Sequence, residues 1–246
     1  MPRATPFHPA GPAPLSPLSG SSNASGNPRV RRGYFECRYG QLHVHNSIPS
    51  GGGFEEGTPL LCLHSIPHSG RVFVPFLAVF GAGRSVFAPD LPGFGNSDPP
   101  PSRAGVAEHA AAIGDFLDAM RLRQIDLLGH RFGALVAAEL AATRPTQVKR
   151  LVMASPPYAA ETGGPPPTAS GATAAAAELA YPLRARLTPL AVPILVLRLG
   201  DEAAANKELA RDLPARARLI DLPTRDASIF ETAPEAAVQA VESFLR

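Results

Sequence analysis

The chain has 246 residues, of which 45% are hydrophobic, enough for one full-sized domain with a large core. No apolar run approaches the roughly 20 residues that a helix needs to span a bilayer, so no membrane-spanning helix is expected. The formal net charge of +2 comes from the first 33 residues, where Arg3, Arg29, Arg31 and Arg32 stand without an acid; the rest carries 19 cations against 21 anions and offers no basic face for a nucleic acid.

Residues 1–32 are rich in Pro, Ser, Gly and Ala and are read as a disordered tail, with the folded domain at 33–246. Tyr34 to Asn46 reads as a hairpin turning at Tyr39-Gly40. Leu60 to Leu63 is a continuous apolar run, the pattern of a strand buried on both faces of a parallel sheet. A helix is expected over Val72–Phe80, a strand over Ser85–Ala88, and a helix over Ala104–Met120. Ile125 to Leu128 is again a buried strand. It passes through Gly129-His130-Arg131-Phe132-Gly133 into a helix that Pro145 stops.

Strands follow at Arg150–Ala154, Pro193–Leu199 and Arg218–Leu222, with helices at Ala203–Leu213 and Pro234–Arg246. The segment 155–191 shifts to Pro, Gly, Ala and Thr, with helical character only over Ala174–Leu187. This alternation predicts an α/β fold, a doubly wound and mostly parallel sheet with an antiparallel edge supplied by the hairpin. Cys37 and Cys62 fall inside predicted strands and read as small hydrophobes in a reduced compartment, so a cytoplasmic location is expected. Arg31-Arg32 precedes no apolar segment of the kind a secretory signal needs.

Strand, tight Gly-x-x-x-Gly turn and helix make a nucleophile elbow, which presents one side chain on a strained turn at the top of a sheet. Together with Leu60-Leu-Cys-Leu-His-Ser-Ile-Pro67, Ala88-Pro-Asp-Leu-Pro-Gly-Phe-Gly-Asn-Ser97 and the pair Val192–Leu197 with Phe230–Glu235, it resembles the α/β-hydrolase superfamily. The resemblance runs from Tyr34 onward. It implies a nucleophile at position 131, an acid at Asp201 or its neighbour Glu202, and a histidine at position 227. It also implies oxyanion donors at the amides of Ile66 and Phe132. The segment 155–191 corresponds to a much reduced cap.

Two of those positions lack the required chemistry. Arg131 stays protonated at physiological pH and cannot attack, and position 227 is Ala. The seven histidines stand at 8, 43, 45, 64, 68, 109 and 130, so none lies beyond the elbow, where the family order of nucleophile, acid, histidine requires one.

A cation at a helix N-terminus faces the positive end of the dipole and calls for an anion. That anion is either internal, from Asp201, Glu202 or Asp226, or belongs to a ligand. The expected function is therefore a non-hydrolytic α/β-hydrolase-like protein. It would bind a small carboxylate or phosphate, or a protein partner, through Arg131, Ile66, Phe132, His64 and His130, without a cofactor. The alternative is an active esterase-like hydrolase with a relocated nucleophile among Ser65, Ser69 and Ser155. A cofactor-free lyase or cyclase using Arg131 belongs to the same alternative. His64 and His68 are four residues apart, but Pro67 between them argues against a metal pair.

Overall fold

Buried four- to seven-residue apolar runs form one sheet with helices on both faces in a computed structural model of the protein. The structure describes residues 29–49, 57–158, 181–199, 207–222 and 228–246. Within them the strands are β1 (Arg31–Cys37), β2 (Gly40–Ser47), β3 (Leu60–Leu63), β4 (Val86–Pro89), β5 (Ile125–His130), β6 (Val148–Ala154), β7 (Ile194–Leu199) and β8 (Ala217–Leu222). They join in the order β1-β2-β4-β3-β5-β6-β7-β8. β1 and β2 pair antiparallel, as do β2 and β4, and the remaining pairs are parallel. The predicted hairpin edge on a parallel sheet is what forms.

The described helices are α1 (Val74–Phe80), α2 (Val106–Ala119), α3 (Phe132–Thr143), α4 (Leu183–Leu187), α5 (Lys207–Asp212), α6 (Ile229–Thr232) and α7 (Pro234–Leu245). A 3-10 turn at Gly70–Phe73 leads into α1, because Pro75 favours a helix's first turn and the tighter turn absorbs the residues before it. β1 starts at Arg31, two residues inside the stretch read as tail. Arg31 and Arg32 carry no apolar signal, and backbone pairing with Asn46 and His45 holds them in the sheet. Of the helix expected over Ala174–Leu187, the described part is Leu183–Leu187, and residues 174–180 lie outside the described residues, as does Ala203. α6 was not anticipated: four residues are too few to show a helical period.

Alternate strand residues separate two cores. Leu61, Leu63, Ile125, Leu127, Leu151, Met153, Ile194 and Val196 face α2, α3 and α4. Leu60, Cys62, Leu128, Val152, Ala154, Leu195 and Leu197 face α1, α6 and α7, where Phe76 packs edge to face on both Phe73 and Phe230. Period-two alternation with apolar residues on both sides is why these strands read as unbroken hydrophobic runs. Among the described residues no helix is long and apolar enough to cross a membrane.

At the end of the sheet away from the elbow, Asp126 on β5 is fully buried. Its Oδ2 accepts from Arg84 at 3.0 Å and from Arg150 at 3.2 Å. The same two guanidiniums donate to the carbonyls of Leu245 and Arg246. The clamp thus ties the first residue pairs of the central strand to the closing helix. Burial raises the Asp126 pKa and the two cations oppose that rise. Removing the carboxylate leaves two inward-pointing cations without their partner, so Asp126→Ala should destabilise the protein by about 3 kcal/mol. The midpoint of urea unfolding measures it, and an unchanged midpoint would show the clamp to be decorative.

Candidate functional site

The elbow is built by steric necessity. β5 ends at His130 and α3 begins at Phe132, so the turn is a single residue, Arg131, with φ 50° and ψ −116°. This is a left-handed conformation in which a side chain costs about 1–2 kcal/mol. It persists because both flanks are locked. The Arg131 amide donates to the Ala154 carbonyl at 2.9 Å, and the Arg131 carbonyl accepts from Ala134 at 2.8 Å. A Cβ on Gly129 would lie 2.3 Å from the Gly133 carbonyl oxygen, and one on Gly133 would lie 2.1 Å from that of Leu63. Only glycine at both positions lets the helix start this close to the sheet.

The facing wall is the loop after β3. His64 is fully buried, and both of its ring nitrogens are used: the Leu91 amide donates to Nε2 at 2.8 Å, and Nδ1 lies 2.9 Å from the Ser65 carbonyl. The tautomer is therefore Nδ1–H, and His64 braces the loops after β3 and β4 against each other. It has no ring atom left for a ligand, so its place in the expected binding set is corrected to that of a brace. The amides of Ile66 and Phe132, the expected oxyanion donors, have no hydrogen-bond acceptor among the described residues.

Between the two walls lies a cavity of about 100 Å³, lined by Ser65, Ile66, His68, Val72, His130, Arg131, Ser228, Phe230 and Glu231. The structure thus brings together Ile66, His130 and Arg131 of the expected set, and Phe132 follows at the start of α3. Ser228, Phe230 and Glu231 were not anticipated as walls, although the Phe-Glu-Thr-Ala-Pro run was part of the resemblance. Arg131 is engaged in an interaction within the protein. Asp201, Glu202, Asp226 and Ala227 lie outside the described residues.

Electrostatically the cavity sets the Arg131 cation and the acidic side chain of Glu231 beside the buried imidazole of His130. Burial, reinforced by the neighbouring Arg131 charge, lowers the His130 pKa to about 3, and its Nε2 is buried without a partner. Behind the elbow, burial also lowers His109 to about 4, where it packs edge-on against Phe132. Of the other serines considered, Ser69 caps the 3-10 turn. Ser155 follows β6 with φ 47°, and its buried hydroxyl has no partner.

The elbow, the sheet order and the brace define the class. Residues 58–209 match the model of the family described as alpha/beta hydrolase fold, and the chain belongs to that family. Within it, part of the chain is similar to "Epoxide hydrolase 2" of Siraitia grosvenorii, at 38% identity over 102 residues, or 39% of this chain and 31% of that protein. A haloalkane dehalogenase of Psychrobacter cryohalolentis is 36% identical over 104 residues, 40% of this chain and 34% of that protein. A 2-hydroxymuconate semialdehyde hydrolase of Pseudomonas sp. is 37% identical over 121 residues, 44% of this chain and 38% of that protein. The matched segments thus span about a third of these relatives' length. Among solved structures, Cfl2 from Burkholderia cenocepacia is similar with a TM-score of 0.70 at 19% identity, covering 91% of this chain and 98% of that one. A membrane phospholipase A is similar at 0.69 and 20%, covering 88% and 86%. At these identities the likeness is one of fold.

The buried imidazoles set a pH dependence. His64 is also lowered to about 4, by desolvation. His64, His109 and His130 are neutral in the fold, whereas the unfolded chain binds their protons below about pH 6.5. Their stabilisation is complete above that pH and is lost as pH falls toward 4, by up to about 1.4 kcal/mol per pH unit for each ring. Urea unfolding at pH 7, 6 and 5 should show a falling midpoint, and His109→Leu should flatten the slope by about a third. A midpoint constant over this range contradicts the assignment.

Proposed function

We propose that this α/β-hydrolase-fold protein does not hydrolyse esters and instead binds a small anion, a carboxylate or phosphate group, at the elbow. The observation that carries the reading is an arginine at the strained apex where the family places its attacking atom. The stretch that follows β8, Pro223 to Ser228, also holds no histidine to act as base. A guanidinium cannot attack, but with two backbone amides it makes a donor set suited to an oxyanion. A cavity of about 100 Å³ suits one such group better than a large acyl substrate. Because Arg131 is already engaged within the protein, the ligand either joins that contact or displaces its partner.

A second reading, an active hydrolase with a relocated nucleophile, draws on Ser155. It is strained and unpartnered, and it adjoins Ala154, whose carbonyl receives the Arg131 amide. Its weakness is the base. The His130 imidazole, lowered to about 3, holds a proton too weakly to take one from a hydroxyl efficiently.

Two experiments separate these. Phosphate or small carboxylates at ten times their Kd should stabilise the wild type by about 1.4 kcal/mol, or roughly 3–5 °C in Tm, and Arg131→Ala should abolish the shift. Loss of the shift in all anions tested, or its survival in Arg131→Ala, would sink the anion site. In parallel, the wild type should turn over p-nitrophenyl acetate no faster than buffer. Arg131→Ser combined with Ala227→His should gain activity. Wild-type turnover that disappears in Ser155→Ala would establish the second reading.

A further inference from the structure

A second constellation lies on β2 and just after β4, in a cavity distinct from the one at the elbow and independent of the function proposed for it. His43 and His45 are two apart on β2 and therefore share one face. β4 pairs with β2 antiparallel, with Val44 opposite Pro89 and His45 opposite Ala88. The next position in that register sets Asp90 opposite His43 and on the same side, and the Asp90 amide donates to the His43 carbonyl at 2.8 Å. All three side chains are buried, at 2%, 8% and 1% exposure, and their ligating atoms lie within 4.8 Å of one another.

The geometry points to a site for a divalent transition-metal ion held by His43, His45 and Asp90. Two imidazoles and one carboxylate are the donor set that such ions take. His43 Nδ1 lies 2.9 Å from Asp90 Oδ2. Two donors each about 2.1 Å from one ion, and at right angles to it, are about 3.0 Å apart, so the pair needs little movement to admit one.

The carboxylate is also held from behind. Gly70 donates to Oδ1 at 2.7 Å and Asn96 donates to Oδ2 at 2.9 Å, the supporting hydrogen bonds that orient a metal-binding carboxylate. Binding moves the proton of His43 from Nδ1 to Nε2, leaving the Nδ1 lone pair for the ion and the ring neutral. No hydrogen bond to another described residue competes for the His45 ring, which packs at 4.7 Å, edge to face, on His43.

The three ligands leave coordination positions open to a cavity of about 710 Å³ that they share with Arg32 and Arg71. Those two cations weaken binding of a bare ion. They favour one that carries an anion on its open positions, so the site is suited to a metal-bound carboxylate or phosphate. Glu231 lines both this cavity and the one at the elbow.

The test is a titration of the chelator-treated, purified full chain with Co²⁺, followed by visible absorption, and with Zn²⁺, followed by calorimetry. The expected result is one ion per chain and d–d bands for Co²⁺. Affinity should fall at least 10-fold in His45→Ala and in the more conservative His45→Gln. His45 is chosen because His43 and Asp90 also hold the turn together. Thermal unfolding without metal identifies any variant that has lost its fold. No stoichiometric binding, or binding undiminished in both folded His45 variants, overturns the site. Binding that instead disappears in His68→Ala would place the ion at the elbow cavity and likewise overturn it.

Discussion

The contact on which the rest of the structure depends is the approach of α3 to β3 and β5 through two glycines. Van der Waals exclusion makes Gly129 and Gly133 obligatory, because any Cβ there would stand little more than 2 Å from backbone atoms. That closeness compresses the strand-to-helix connection to one residue and forces Arg131 into a left-handed turn. It also aims the helix amides at the facing loop, which His64 holds at a fixed distance. The geometry of the elbow and the geometry of the fold are therefore one constraint. The scaffold keeps its shape whatever residue occupies the apex.

That separation explains how a family elbow can carry a cation. The strain belongs to the backbone and is set by the glycines, whereas the chemistry belongs to the side chain alone. A serine there would need a basic imidazole. Of the imidazoles near this region, His64 and His130 are desolvated and weakly basic, and His64 is fully used in bracing. The site sets a permanent positive charge beside backbone amides, a buried imidazole and the acidic side chain of Glu231. Its response to pH comes from the histidines and not from the arginine.

The parallel strands were legible in the sequence because their apolar runs are local signals, and the elbow because its glycines have a fixed spacing. Helix ends were less so: the 3-10 turn before α1 and the four-residue α6 are shorter than the period that would announce them. Asp126 went unremarked because a lone acid in a strand looks solvated until Arg84 and Arg150, 42 and 24 residues away, are seen to converge on it. His64 was placed with the binding residues because its motif position was visible and its partners were not. The His43–Asp90 pairing was hidden for the same reason. Strand register between positions 47 residues apart is a property of the assembled sheet.

The two border strands of the sheet, among the described residues, also bear on how the protein behaves at high concentration. On one side β1 opens with Arg31 and Arg32, both exposed, and on the other β8 carries Asp221, paired sideways with Arg198. A neighbouring molecule that tried to extend the sheet would have to bury or displace these charges at the first rungs of the new ladder. The backbone of these edge strands is thus flanked by arginines and an acid, of which Arg32 also lines the larger cavity.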